Sequence, residues 1–512
     1  MRQDVDHRVV DLFDAAVVGE RTSFGSMGRR DQRCLCEVRD LMHVRRVRSL
    51  RATPQGLAAG FWPDAVDGPD SRPSGVERPN GNRARRSATR SAKIPGRERL
   101  YCVIWAIMDV SKSAKVRHES VARIEPTSLE VVSATIADVV AELSAESAAL
   151  GRALHPRTAA SLAQLVRIMN TYYSNLIEGH NTRPREIERA LAGQFDEDEV
   201  RRNLQLEAAS HVAVQAEVDR LAASGELPEP ASGQFIQWLH REFYRDVPRA
   251  MLNVRSNNRE YTMRPGEWRS SRDDDVIVGR HQPPSSTRVV DFMQYFEERY
   301  RFGRMGKAAR IIAIAAAHHR FNYIHPFPDG NGRVSRLMSH AMGHAAGIGA
   351  HGLWSVSRGL ARGLENPAEY KTMMDMADTP RENDFDGRGN LSQRALSAFV
   401  LWFLRVCLDQ VKFMTSLFEL NTLARRVRVV AERDDRLRPE AGKLLEAAAI
   451  RGEIERGEAS RITGLPERSA RRVLNDTIAV GLLASETPKG PVSVQFPPAA
   501  AEALFPRLFA TQ

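Results

Sequence analysis

The stretch His325-Pro-Phe-Pro-Asp-Gly-Asn-Gly-Arg-Val-Ser-Arg336 brings a candidate base, a hard metal ligand, two glycines and two arginines together within twelve residues. Gly330 and Gly332 have no Cβ, so the backbone around Asn331 can take positive φ and turn its N–H groups inward as an anion nest. From Arg333 to Met342 the chain returns to helix-forming residues. The nest therefore opens a helix, whose positive end faces the same anion, and phosphate is the natural occupant. Asp329 offers a hard oxygen suited to a Mg²⁺ ion that keeps its waters and substrate phosphate oxygens. Its alternative role is to cap the helix. His325, with an unperturbed pKa of about 6.5, can accept a proton from an attacking hydroxyl. Arg333 and Arg336 stand three apart and present planar forks to a polyphosphate. Phe327 points into the core and anchors the loop.

This stretch resembles the signature of the Fic family, His-x-Phe-x-Asp/Glu-Gly-Asn-Gly-Arg-x-x-Arg, at every fixed position. The resemblance implies a mainly α fold, a Fic-type helical bundle with a short β-hairpin flap. It implies transfer of AMP from ATP to a Ser, Thr or Tyr hydroxyl of a protein target, self-modification included, with release of pyrophosphate. By that resemblance His325 is the general base and Asp329 the Mg²⁺ ligand. Asn331 and the backbone of Gly330 and Gly332 hold the α- and β-phosphates. Arg333 and Arg336 bind the outer phosphates, with Arg336 on the γ-phosphate. Doc-type kinases of the family carry Lys where Gly332 stands, so Gly332 favours nucleotide transfer over phosphate transfer. Two other readings remain: removal of AMP, or use of another nucleotide donor, at the same site, and a DNA-binding regulator whose Fic domain only senses nucleotide.

Upstream, Leu162, Leu165, Val166, Met169 and Leu176 recur at helical spacing, which predicts an amphipathic helix over about 157–179. It ends in Ser174-Asn-Leu-Ile-Glu178-Gly179, with Gly179 suited to the left-handed position after a helix. Taken alone, Glu178 reads as a solvated glutamate in a last turn. The segment is similar to the inhibitory signature of Fic proteins, Ser/Thr-x-x-x-Glu-Gly/Asn, which implies that Glu178 takes the Arg336 fork as a bidentate carboxylate and holds the enzyme off. Over about 264–284, the Pro265-Gly266 turn and the β-branched run Val276-Ile277-Val278 before Gly279 read as a hairpin. In Fic proteins such a flap pairs with an extended target segment as an added strand; the other reading is an ordinary surface hairpin. Asp273-Asp-Asp275 makes its tip acidic.

Around these motifs the chain reads as helical, with a buried Ala/Ile-rich helix over 307–321 and a long amphipathic helix over 395–418. Adjacent His318 and His319 point apart and read as core packing. His340 and His344 have i, i+4 spacing but show no third ligand in the sequence, and read as a pair on a helix surface. The helical region before the core spans 108–230 and the Fic core 231–425. Residues 436–512 resemble a winged helix-turn-helix: an Ala/Leu helix, a short second helix, the turn at Gly464, a third helix with Pro466 at its first position, and a two-stranded wing. Arg468, Arg471 and Arg472 near the start of the third helix would contact DNA; a protein-interaction or dimer role is the alternative.

Of the formal net charge of +10 over 512 residues, about +7 comes from residues 1–107, where about 20 basic residues face about 13 acidic ones. That Arg-, Pro- and Gly-rich segment lacks hydrophobic periodicity and reads as disordered, or as an extension upstream of a natural start at Met108. The high pI of about 9.7 therefore gives no evidence that the core binds DNA. Tyr101–Met108 is too short an apolar run to span a bilayer, and no secretory pattern is present, so a cytoplasmic chain without a membrane partner is expected. Four cysteines without paired or zinc-like spacing give no reason to invoke a disulfide. The resemblance also allows a homodimer that regulates the inhibitory helix.

Overall fold

The computed structural model describes residues 119–255 and 260–509; the expectations for residues 1–107 and for a start at Met108 lie outside them. The described chain is mainly helical. Its first part runs α1 (Ala134–Arg152), α2 (Pro156–Ile177), α3 (Pro184–Leu191), α4 (Glu199–Ser224) and α5 (Gly233–Phe243). After the antiparallel pair β1 (Asn253–Arg255) and β2 (Glu260–Thr262) come α6 (Val289–Tyr300), α7 (Lys307–Ile324) and α8 (Asn331–Ala345). Then follow α9 (Val356–Arg362), α10 (Glu369–Ala377), α11 (Gln393–Leu417) and α12 (Leu420–Glu432).

Local chemistry explains the boundaries. Ser133 and Asp198 cap α1 and α4 by accepting from backbone N–H groups, and Gly225 closes α4 in the left-handed conformation. The Ala/Ile-rich α7 is buried on nearly every side, covered by α1, α6, α8 and α11, so it reads as apolar all round. It ends at His325, whose φ of 50° breaks the helix and starts the loop to α8. Core and active loop are thus one continuous piece of chain.

The flap expectation needs correction. The paired strands are β1 and β2, upstream of 264–284, and within that segment only the bridge between Val278 and His281 is formed. Arg272–Asp274 winds into a 3-10 turn capped by Ser271, which leaves too little extended chain for a ladder. Val276 and Ile277 lie outside any strand, and Ile277 and Val278 are exposed.

The C-terminal elements are α13 (Ala441–Arg451), α14 (Ala459–Thr463), α15 (Glu467–Ala479), the antiparallel pair β3 (Leu483–Ala484) and β4 (Ser493–Val494), and α16 (Pro498–Leu504). Gly464 makes the turn between α14 and α15 with a φ of 76°, and Pro466 stands at the N-cap of α15, one position before the first helical residue expected for it. These elements share one compact unit with the core. Thr158 Oγ1 donates to the Ala449 carbonyl at 2.9 Å, and Tyr173 Oη donates to the Leu508 carbonyl at 3.2 Å. The last described turn therefore rests on α2. Among the described residues, no helix is long and apolar enough to cross a membrane.

Candidate active site

The loop from α7 to α8 is held from three directions. Asn331 accepts from the Phe327 N–H at 2.9 Å and donates to the Phe327 carbonyl at 2.8 Å, so its side-chain amide closes the loop on itself. Phe327 is fully buried, stacked on His240 with centroids 3.9 Å apart. His240 Nδ1 accepts from the Gly266 N–H at 2.8 Å, which leaves Nε2 to donate to the Asp329 carbonyl at 3.2 Å. Burial pushes this imidazole down to about 4, so the ring is neutral near pH 7. The Pro265-Gly266 turn is thereby docked on α5. Arg269, fully buried, donates to the carbonyls of His325 at 2.7 Å, Ile324 at 2.9 Å and Pro284 at 2.6 Å. The acidic run has local partners: Asp274 accepts from the Ser271 N–H, and Asp275 accepts from the Ser286 N–H and lies 3.6 Å from Arg269.

At the mouth of this loop His325 is partly buried. Desolvation, reinforced by the nearby charges of Arg269 and His281, pushes its imidazole down to about 4, so at neutral pH it is an unprotonated base. Gly330 caps α8 with a φ of 78°, and a Cβ there would lie 2.8 Å from Tyr244 Oη. Glycine is thus required both by backbone angle and by space. The first turn of α8 leaves the N–H groups of Asn331, Gly332 and Arg333 without intrahelical acceptors, since the first helical bond is Val334 N–H to the Gly330 carbonyl. These are the nest donors. Asp329 is half-exposed beside them and does not cap the helix; its Oδ2 accepts from Tyr244 Oη at 3.1 Å and from Arg333 Nη2 at 3.3 Å. A hard carboxylate next to unpaired N–H donors fits a Mg²⁺ nucleotide, with the Asp329 oxygen on the ion and the N–H groups on phosphate.

The two arginines diverge to different carboxylates. Arg333 is buried and bonds Glu207 on α4 and Tyr244 Oη. Arg336, 1% exposed, donates through Nε to Ser174 Oγ at 2.9 Å and through Nη2 to Glu178 Oε1 at 2.6 Å. Glu178 stands at the C-cap of α2, followed by Gly179 with a φ of 85°. Its contact is a single oxygen on a single nitrogen instead of the expected bidentate fork, with Ser174 taking Nε through its hydroxyl and sharing Nη2 through its carbonyl. Burial works to raise the Glu178 carboxyl, but the charges of Arg336 and Arg333 outweigh it and hold it below its ordinary range. A Cβ on Gly332 would collide with Glu178 Oε1, so glycine here makes room for the carboxylate.

Residues 230–342 match the model of the Fic/DOC family. The match takes in α5 and the loop from α7 to α8. The chain is 36% identical over 83 residues to the protein adenylyltransferase Fic of Drosophila virilis, covering 16% of this chain and 17% of the relative's length. Against the protein of the same name from Drosophila grimshawi it is 37% identical over 82 residues, 16% of each chain. A Fic family protein from Desulfovibrio desulfuricans superposes over 72% of this chain and 98% of its own, with 17% identity and a TM-score of 0.43.

Sequence reasoning missed Glu207, Tyr244, His240 and the anchoring role of Arg269. It also placed His340 and His344 on a helix surface, whereas their side chains are 8% and 9% exposed and both meet Asp219 of α4. The signal that could have found the α4 residues is a polar stripe: Glu207, His211, Gln215 and Asp219 recur every four residues, and all four are buried. By contrast, His318 and His319 are core residues as expected, with His319 Nε2 donating to the Asp378 carboxylate at 3.1 Å.

Proposed function

We propose that this chain is a protein adenylyltransferase that transfers AMP from ATP to a hydroxyl side chain of a protein target and is held off by Glu178. The observation that carries it is the junction of α7 and α8: an unprotonated His325 stands beside a nest of free N–H groups, while Glu178 sits on Arg336. The names of the matched relatives agree with this chemistry.

In the proposed reaction the target hydroxyl gives its proton to His325 as its oxygen attacks the α-phosphorus, and pyrophosphate leaves in line. The N–H groups of Asn331, Gly332 and Arg333 hold phosphate oxygens, and Arg336, once freed of Glu178, takes the γ-phosphate. Bound Mg²⁺ would neutralise phosphate charge from Asp329. The exposed Ile277 and Val278 offer the edge along which a target segment would align. With Glu178 in place the γ-phosphate loses its fork, and ATP settles with the α-phosphorus out of line.

Transfer of label from α-labelled ATP tests this in wild type, Glu178→Gly, and Glu178→Gly combined with His325→Ala. Labelling of self or lysate proteins should rise in the single variant and fall by about 10²–10⁴-fold when His325 is also removed. Labelling that survives loss of His325 would overturn the assignment.

A second proposal concerns α15, where Arg468, Arg471 and Arg472 are all exposed. They suit a winged-helix contact with DNA, and binding should weaken steeply with salt and in an Arg471→Ala, Arg472→Ala double variant. Salt-independent behaviour would remove the idea.

A further inference from the structure

At the far end of α8, about 10 Å along the helix from Arg333, three ligand atoms from two helices converge. His340 Nε2 lies 2.6 Å and His344 Nε2 2.9 Å from Asp219 Oδ1, and the two Nε2 atoms are 3.3 Å apart. We propose that Asp219, His340 and His344 form a binding site for a borderline divalent transition metal, Zn²⁺ being the natural occupant.

The donor set argues for this class of ion. Two imidazoles at i, i+4 project from one helix face, and a carboxylate closes the triangle from α4, a set that suits Zn²⁺ and its neighbours and not Mg²⁺ or Ca²⁺. Tetrahedral coordination with bonds of about 2.0–2.1 Å separates ligand atoms by about 3.3 Å. The Nε2 pair already has that spacing, and the edges from Asp219 to His340 and His344 need to open by about 0.7 and 0.4 Å. Without an ion, two Nε2 atoms face one another and crowd a single carboxylate oxygen.

The surroundings are shaped to the three ligands. Arg167 on α2 donates to the other oxygen, Asp219 Oδ2, at 2.8 Å, which fixes the carboxylate with Oδ1 pointing at the imidazoles. The loop from α8 to α9 passes close by, and two of its glycines are needed for room. A Cβ on Gly349 would collide with His344 Nδ1, and one on Gly352 would come within 3.0 Å of Asp219 Oδ2. Between them Ala350 and His351 both hold positive φ, 44° and 56°. Left-handed backbone at non-glycine residues is unfavourable and collects at ligand clamps. A metal bound here would cross-link α4 to α8 and, through Arg167, fix the position of α2, which carries Glu178.

The test uses full-length protein stripped with EDTA and titrated with Zn²⁺ in competition with a chromogenic chelator. One tight equivalent is expected in wild type, weakened at least 100-fold in His340→Gln and in His344→Gln, each checked for folding by circular dichroism. Zn²⁺ should raise the thermal midpoint of wild type alone. Equal stoichiometry and affinity in wild type and both folded variants would overturn the site. If the variants do not fold, X-ray absorption of the wild-type zinc complex decides: two imidazoles and oxygen support the proposal. Sulfur ligation, which would come from the cysteines near the N-terminus, or no bound zinc, overturns it.

Discussion

Two arginines three residues apart on α8 each meet a glutamate, and the two pairs are built for opposite purposes. Arg333 and Glu207 are both buried, and Arg333 also lies with its guanidinium carbon 5.2 Å from the Phe243 ring centre and in reach of Tyr244 and Asp329. Removing Glu207 would leave Arg333 with only the half-exposed Asp329 as counter-charge. Arg336 is equally buried, but Glu178 is 32% exposed on its side chain and makes one contact, while Ser174 satisfies Nε independently. When Glu178 leaves, Arg336 keeps Ser174 on Nε but loses the one carboxylate paired with it among the described residues, a negative charge that an incoming phosphate would replace. The same chemical pair is a scaffold where both partners are enclosed and a removable plug where one faces solvent.

The isosteric change from Glu to Gln separates the two roles most sharply. Glu207→Gln should destabilise the fold by about 3 kcal/mol, since it leaves buried Arg333 with only the half-exposed Asp329, 3.3 Å away, as counter-charge. Glu178→Gln should cost less, about 1 kcal/mol, because the Glu178 side chain is 32% exposed and water screens the charge left on Arg336. Denaturant midpoints of the two variants measure this directly, and equal losses would erase the distinction.

Next in size is the effect on transfer. Glu178→Gly should raise labelling by about 100-fold, corresponding to a shift of about 2.7 kcal/mol between blocked and open states of the Arg336 fork. Glu207→Gln should not activate at all.

Gly332→Ala tests the plug from its other side. Its methyl group would displace the Glu178 carboxylate, the movable end of a flexible side chain, while also narrowing the phosphate nest. Adding Glu178→Gly to Gly332→Ala should therefore gain less than it gains in wild type, with a coupling of about 1 kcal/mol in a double-mutant cycle of transfer rates. Strict additivity would mean that Gly332 and Glu178 do not share space in solution.

The unequal visibility of the two pairs in the sequence has a physical reason. His325, Asp329, Gly330 and Arg336 act within one loop and one helical turn, so their spacing states their geometry. Glu178, which alone reads as a solvated glutamate in a last turn, is singled out only by the resemblance of the segment from Ser174 to Gly179 to an inhibitory signature. Glu207 and Asp219 act across the gap between α4 and α8, more than a hundred residues away in sequence, and only the four-residue polar rhythm of α4 marks them. The same cause hid the His340 and His344 partner. Over 264–284 the hairpin is reduced to the turn between Val278 and His281, because the capped 3-10 turn at Arg272–Asp274 and the anchoring of Arg269 claim the chain that would have extended it.

The smallest expected effect is a flat line, and it tests whether charge or shape sets the plug. His325 has a folded pKa of about 4, below its ordinary value, so the base stays unprotonated as pH falls from 8 through 6.5 and loses competence only near 4. Glu178 is held below its ordinary value by Arg336 and Arg333, so its pairing is complete above the unfolded carboxylate pKa and weakens only as pH falls below it. Neither group titrates between pH 6 and 8. The ratio of Glu178→Gly to wild-type transfer should therefore be constant over that range, as should the rate of Glu178→Gly after allowance for ATP and Mg²⁺ ionisation. An inflection near 6.5 in the variant would place His325 in water instead of in the enclosed loop. A ratio that falls toward pH 6 would mean that protonation, and not displacement by a partner, is what lifts Glu178 from Arg336.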